Sequence, residues 1–532
     1  MAGSTARAAR GVEPAGHPIA RPAPAAQSGV AGLFLPGLLL LFTASGVSGL
    51  VYEVVWLRYL TLVFGVTIYA VSTVLTVFMG GLALGGYLAG RIADRLPRPL
   101  RAYGLIELAI AASALLTPPA FGLLNWVYRL IYPALPPDLT VLSLVRFVLA
   151  CAILLVPTTL MGMTLPIVVR SSLGRSRSLG TSVSLLYACN TAGGITGAYL
   201  AAFVLIGTMG VWATTLTAAL LNAVVGLAAL VLDQRLAAAP APALTVPGAA
   251  GQRNRSRDLP VVDASSGSLD SRVGQGGGAM RWLLAAFFVS GLASLAYQVI
   301  WTRILAIFFE ATTYAFNLIL CTFLLGLAMG SSLIAPVINR RANWLLIAAV
   351  LEWAIALTAL LSIAVVGRLH DIVDGLRGVP IAEHLVSGEQ RATAVMAFIT
   401  MFPTTVLLGA AFPIIMKLYA AGASGTARRG TADDGAAISA GVGSSDGGVG
   451  RRLGRAYAAN VCGAIAGSWA AGFVLIPLLG TQRSLILLAM GSAIVAAGLL
   501  RAAAPARFRI MAPAAALATV LVALLTPNMY GA

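Results

Sequence analysis

Charge is scarce in this sequence. Only 10% of its 532 residues are charged, where a soluble protein carries roughly 25%. That shortage excludes an ordinary water-facing surface around a chain that is 59% hydrophobic. Acidic residues are scarcer than basic ones, 18 against 35, which gives a formal net charge of +17. The basic residues sit in short loops and linkers between apolar runs, and no basic motif is interleaved with aromatics. The excess therefore reads as the cytoplasmic flank of membrane spans and not as a nucleic-acid surface. Cysteine and histidine are scarce too. Cys151, Cys189, Cys321 and Cys462 each fall inside an apolar run, with no C-x-x-C pair. They read as small helix residues and give no basis for a metal or disulfide site. His17, His370 and His384 lie outside the runs, so a histidine-based proton relay is not expected. Neither a metal nor a cofactor is expected: the one glycine cluster that invites the thought, Gly276 to Gly278, follows no strand.

What the chain does have is long apolar runs, and it has them in duplicate. Gly46, Tyr52, Glu53, Trp56, Arg58, Thr67, Tyr69, Gly81, Leu82, Ala83 and Gly85 recur as Gly291, Tyr297, Gln298, Trp301, Arg303, Thr312, Tyr314, Gly326, Leu327, Ala328 and Gly330, always 245 residues later (297 − 52). Glu107 and Glu352 keep the same offset. Pro157 and Pro166 return as Pro403 and Pro413, with one residue inserted between them. Tyr187, Asn190, Gly193, Gly197 and Phe203 return as Tyr457, Asn460, Gly463, Gly467 and Phe473, now 270 residues later (457 − 187). Repeats of this length in an apolar chain predict an all-α, polytopic membrane protein of two six-helix bundles.

Runs long enough to span a bilayer fall near 33–56, 66–90, 101–123, 142–170, 181–207 and 211–232, and again near 282–304, 312–336, 344–367, 391–418, 455–479 and 482–501. Residues 1–30, rich in Ala, Pro, Gly and Arg, read as a disordered arm. The bundles then occupy 31–232 and 281–501, joined by a flexible linker at 233–280. A second disordered insert falls at 421–450, and 502–532 carries a thirteenth apolar run interrupted by Pro513. Basic residues recur at every second loop: Arg91 to Arg101, Arg170 to Arg177, the linker, Arg340 with Arg341, and Arg451 to Arg455. This pattern places the N-terminus in the cytoplasm.

Three sets of residues invite a functional reading. The loop Gly90-Arg-Ile-Ala-Asp94-Arg95-Leu-Pro97-Arg98 resembles the G-x-L-x-D-R-x-G-R loop of the major facilitator superfamily, with Pro97 in place of the second glycine. In the second half it has decayed to Ala335-Pro-Val-Ile-Asn339-Arg340-Arg341. Asp94 and Arg95 either stabilise one conformation by pairing with a neighbouring helix or only set topology. Next, G-x-x-x-G pairs occur at Gly81/Gly85, Gly193/Gly197, Gly326/Gly330 and Gly463/Gly467, in spans two, five, eight and eleven. Small residues four apart let backbones approach closely. Those four helices form the seam between the halves of the major facilitator fold, and the glycines are expected at that seam. The third set is ionisable residues at membrane depth, where a charge costs roughly 2.5 kcal/mol or more. Glu53 shares a helix face with Trp56, and its repeat is the uncharged Gln298. Glu107 and Glu352 lie near the cytoplasmic ends of spans three and nine. Tyr52, Trp56, Tyr297, Trp301, Asn190 and Asn460 complete the candidate substrate- or ion-binding set. For the carboxylates the alternative to function is packing against helices or basic loops.

The runs Ser45-Gly-x-x-x-Leu50-x-Tyr-Glu-Val-Val-Trp56-x-Arg58, Gly81-Leu-Ala-Leu-Gly85 and Leu186-Tyr187-x-x-Asn190-x-x-Gly193 resemble the membrane region of bacterial fused major facilitator/spermidine synthase-like proteins. The resemblance covers nearly all of 31–501 and recurs in both halves. It implies a major-facilitator-like fold in a bacterial inner membrane. It also implies an aminopropyltransferase-like domain or subunit as partner, and polyamines or other small cations as the solutes to consider. No strand–turn–helix for decarboxylated S-adenosylmethionine and no acidic cluster for a polyamine occurs in these 532 residues, so enzymatic activity is not expected of them. Transport, anchoring or feeding of an aminopropyltransferase, and a structural or assembly role remain as three readings. Lipid is the partner common to all of them.

Overall fold

The computed structural model describes residues 26–65, 67–172, 179–238, 277–308, 313–338, 340, 342–368, 371, 388–430, 446–503, 519–520 and 522. Among these there is no strand. The helices are α1 (Ala26–Phe64), α2 (Thr67–Ile92), α3 (Pro99–Leu115), α4 (Thr117–Ile131), α5 (Leu139–Ser172), α6 (Leu179–Leu200) and α7 (Ile206–Ala238) in the first half. The second half has α8 (Gly277–Phe308), α9 (Thr313–Ile334), α10 (Trp344–Gly367), α11 (Gly388–Gly430), α12 (Asp446–Ala470) and α13 (Ile476–Ala503). The regions expected as arm, linker, insert and tail lie largely outside the described residues. Their described edges are helical: α1 begins at Ala26, α7 continues to Ala238, α11 runs through Gly430 and α12 starts at Asp446.

Nine helical stretches among the described residues are long and apolar enough to cross a membrane. Two of them, 50 and 47 residues long, are double. Each folds back at a glycine with a left-handed backbone, Gly210 at φ 79° and Gly480 at φ 75°, a conformation that only glycine adopts without strain. Both turns follow a short π-helical stretch, Ala201–Leu205 and Ala471–Leu475, at the same place in the repeat. The third span differs from expectation. It stops at Leu115, and α4 leaves it with the chain bent by 41°. The reason is local: Pro118 and Pro119 open α4, and proline cannot continue the hydrogen-bond ladder of a preceding helix. The repeat of Thr117 is Ser362 (362 − 117 = 245), followed by Ile363 and Ala364, and there α10 runs on to Gly367. Taking the two long stretches as paired spans, and the bent pair as one, restores six spans per half.

The neighbour relations repeat between halves. In the first, α2 packs on α5, α1 on α6 and α7, and α3 on α5 and α7. In the second, α9 packs on α11, α8 on α12 and α13, and α10 on α11 and α13. Across the molecule α2 meets α12 and α6 meets α9, the exchange of partners that a two-fold relation produces. Six spans return the chain to the side it started from, so that relation runs along the membrane normal. The outer faces are apolar. Leu216, Leu220, Val224, Leu227 and Val231 line one exposed stripe of α7, and Leu487, Met490 and Ile494 expose the corresponding face of α13. Three- and four-residue steps on one helix face, open and apolar, are what lipid contact requires.

The glycine assignment needs correction. Spans two, five, eight and eleven do meet at the seam, but their G-x-x-x-G faces point the other way. A Cβ at Gly81 would collide with Thr158 Oγ1, and one at Gly85 with the Thr159 carbonyl, both on α5. Gly326 and Gly330 face Thr405 and Val406 of α11, Gly193 and Gly197 face Thr43 and Val47 of α1, and Gly463 and Gly467 face Phe288 and Leu292 of α8. The glycines hold each half together from within. The α2–α12 part of the seam is built otherwise: the Thr76 and Ser468 hydroxyls hydrogen-bond at 2.9 Å, Gly472 faces Ser72, and the Tyr69 and Phe473 rings lie 5.2 Å apart.

Candidate functional site

The centre of each half is built around its first helix. Residues 51–57 of α1 and 295–302 of α8 are buried on every face, with no side open to lipid or water. Here Tyr52 stacks on Trp56 at 5.6 Å and Tyr297 on Trp301 at 5.2 Å. The Trp56 indole donates to Thr117 Oγ1 at 3.0 Å, and the Trp301 indole donates to Ser362 Oγ at 3.2 Å. The tryptophans are thus fixed as packing elements, with their only donor already engaged. Asn190 and Asn460 are engaged too. Their amides donate to the Phe42 and Phe287 carbonyls, at 3.2 and 3.0 Å, where Gly46 and Gly291 bring α1 against α6 and α8 against α12. These bonds tie α6 to α1 and α12 to α8.

Of the carboxylates, Glu107 is satisfied. Ser45 Oγ donates to its Oε1 at 2.6 Å, and Asn222 Nδ2 donates to its Oε2. It pairs with these side chains of α1 and α7 and not with a basic loop. Glu53 is different. It is 3% exposed, and among the described residues no hydrogen bond or ion pair reaches it. Its repeat Gln298 is 1% exposed, and its Nε2 has no partner. The Tyr52 and Tyr297 hydroxyls are likewise without partners. Glu352 is fully buried, and neither of its oxygens accepts a hydrogen bond. Lys417, the cation at membrane depth, donates to the Ile338 carbonyl and lies 4.7 Å above the Trp344 ring.

The side chain of Asp94 lies outside the described residues. Arg95 closes a 3₁₀ turn, Ala93–Arg95, and is exposed. Sequence reasoning missed Asn222, Ser492 and Ser290. The signal was present: Ser45 and Ser290 obey the 245-residue offset, and Asn222 and Ser492 obey the 270-residue one (492 − 222).

These features define a class, a multi-pass helical membrane protein of two six-helix repeats with unpaired polar groups in its core. No family model matches the sequence, and no curated protein matches it. Among solved structures the chain is similar to a bacterial homolog of the human lysosomal transporter Spinster, in an inward-facing and unoccupied conformation. Identity is 12%, the likeness covers 94% of this chain and 98% of that one, and the TM-score is 0.44.

Proposed function

We propose that the protein is transporter-like and moves a small cationic solute across the membrane, with polyamines the first class to test. The observation that carries this reading is Glu53, a carboxylate only 3% exposed that has no donor or counter-charge among the described residues. A charged carboxylate in that position is costly, so the group is relieved only by a proton or another cation, and a solute cation can take that place during a working cycle. The two-halved repeat supports the same reading, because alternating access works by moving one half against the other. The basic loops orient the N-terminus toward the cytoplasm, and the family resemblance suggests a bacterial inner membrane. The polyamine choice rests on that resemblance only. The same motif runs favour a second reading, a membrane module that anchors or feeds a spermidine synthase-like enzyme.

The test is uptake and efflux of labelled putrescine and spermidine in proteoliposomes. Glu53→Gln should lower transport by about tenfold or more at normal protein levels, and Glu53→Asp should retain part of it. Unchanged transport by Glu53→Gln removes Glu53 from the mechanism. No polyamine movement by the unmodified protein, together with co-purification of an aminopropyltransferase, moves the assignment to the second reading.

A further inference from the structure

The two halves carry the same buried carboxylate, and only one of the pair is hydrogen-bonded. Glu107 is held by Ser45 and Asn222. In the second half Glu352 takes its place, Ser290 replaces Ser45 (290 − 45 = 245) and Ser492 replaces Asn222. Serine reaches one bond less far than asparagine and carries a hydroxyl instead of an amide. Ser290 and Ser492 stand beside Glu352, yet neither reaches hydrogen-bond geometry with it. Both Glu352 oxygens, the Ser492 hydroxyl and the neighbouring Tyr297 hydroxyl are enclosed without a partner.

The group is therefore one carboxylate with hydroxyls beside it, where α8, α10 and α13 pack together. Among the described residues the side chains named around Glu352 offer oxygen only, which suits a hard cation. Among the described residues the other titratable group that faces Glu352 is Tyr297 of α8, and neither α11 nor α13 presents it a charged side chain. One carboxylate balances one positive charge, so the fitting ligand is monovalent. In the first half both carboxylate oxygens are already taken.

We propose that Glu352, with the hydroxyls of Ser290, Ser492 and Tyr297, binds a small monovalent cation, a sodium ion or a proton, and that Glu107 does not. Of the two equivalent carboxylate positions only the second thus holds a cation, at a site separate from Glu53.

The test is thermal unfolding of the purified full-length protein in detergent. One arm raises sodium at fixed pH against choline, and the other varies pH in sodium-free buffer. A ligand that binds only the folded state raises Tm with the logarithm of its concentration. The unmodified protein should show this rise in one arm, which identifies the cation. Glu352→Gln should lose it. Ser492→Asn should lose it as well, because it restores the first half's amide donor and occupies the carboxylate. Asn222→Ser should add a second response of the same kind. If Tm ignores both sodium and pH, or if Ser492→Asn responds like the unmodified protein, the proposal is overturned. The readout needs no transported solute, so it stands or falls apart from the transport reading of Glu53.

Discussion

Asn222 shows how much one amide does in a membrane core. Its Nδ2 holds Glu107 from α7 while Ser45 holds it from α1, so one carboxylate ties three helices together. Asn222→Ala leaves a buried oxygen without its donor, and unfolding in denaturant should show a loss of about 1–3 kcal/mol. Ser492→Ala, at the repeat position, removes no hydrogen bond from Glu352 and should cost much less. Equal losses at the two positions would refute the distinction drawn between the carboxylates. The offset in the sequence brings Glu107 and Glu352 to equivalent places. Whether each is hydrogen-bonded is not legible there, because it depends on the reach of a side chain some hundred residues away.

At the scale of the helix, the glycine pairs decide which neighbours can approach. Gly85 has the Thr159 carbonyl where its side chain would be, whereas Gly90, on the same helix, has nothing within 4 Å. Gly85→Leu should abolish recovery of folded, monodisperse protein in size-exclusion chromatography, and Gly90→Leu should leave it unchanged. Loss in both, or in neither, would count against the α2–α5 contact. The sequence announced that these helices pack closely, but not against which partner. A G-x-x-x-G pair fixes one face of a helix, and α2 uses that face for α5 while Ser72 and Thr76 turn toward α12. The break after Leu115 was legible in Pro118 and Pro119, since their counterparts Ile363 and Ala364 let α10 continue. The twelve spans themselves were legible because apolar length is a direct physical requirement of crossing the bilayer.

In the whole molecule, the α2–α12 contact is narrow and polar where each half is broad and apolar within. Thr76 and Ser468 are 2.9 Å apart at their hydroxyls, close enough for cysteines there to approach disulfide geometry. In a background lacking the four native cysteines, Thr76→Cys with Ser468→Cys should cross-link under mild oxidant. After proteolysis between residues 239 and 276, the two halves should then migrate as one band without reductant and as two with it. Failure to cross-link would mean that α2 and α12 do not meet there. If the halves move during transport, the same cross-link should stop polyamine flux and reduction should restore it.

The enclosure of α1 also has a consequence for the order of assembly. Of the helices packed on α1, α6 and α7 cover most of it, and α6 begins 115 residues after α1 ends (179 − 64). During that interval α6 and α7 are missing from around Tyr52, Glu53 and Trp56, although α4, which carries the Thr117 acceptor of Trp56, is already made. The apolar part of α1 is 31 residues long, about 46 Å of helix against about 30 Å of hydrocarbon. That surplus lets α1 enter the bilayer with Glu53 still at headgroup level and slide inward once α6 and α7 arrive. A shortened α1 would have to carry the bare carboxylate into lipid at the moment of synthesis, so its extra turns serve the newborn chain more than the finished one.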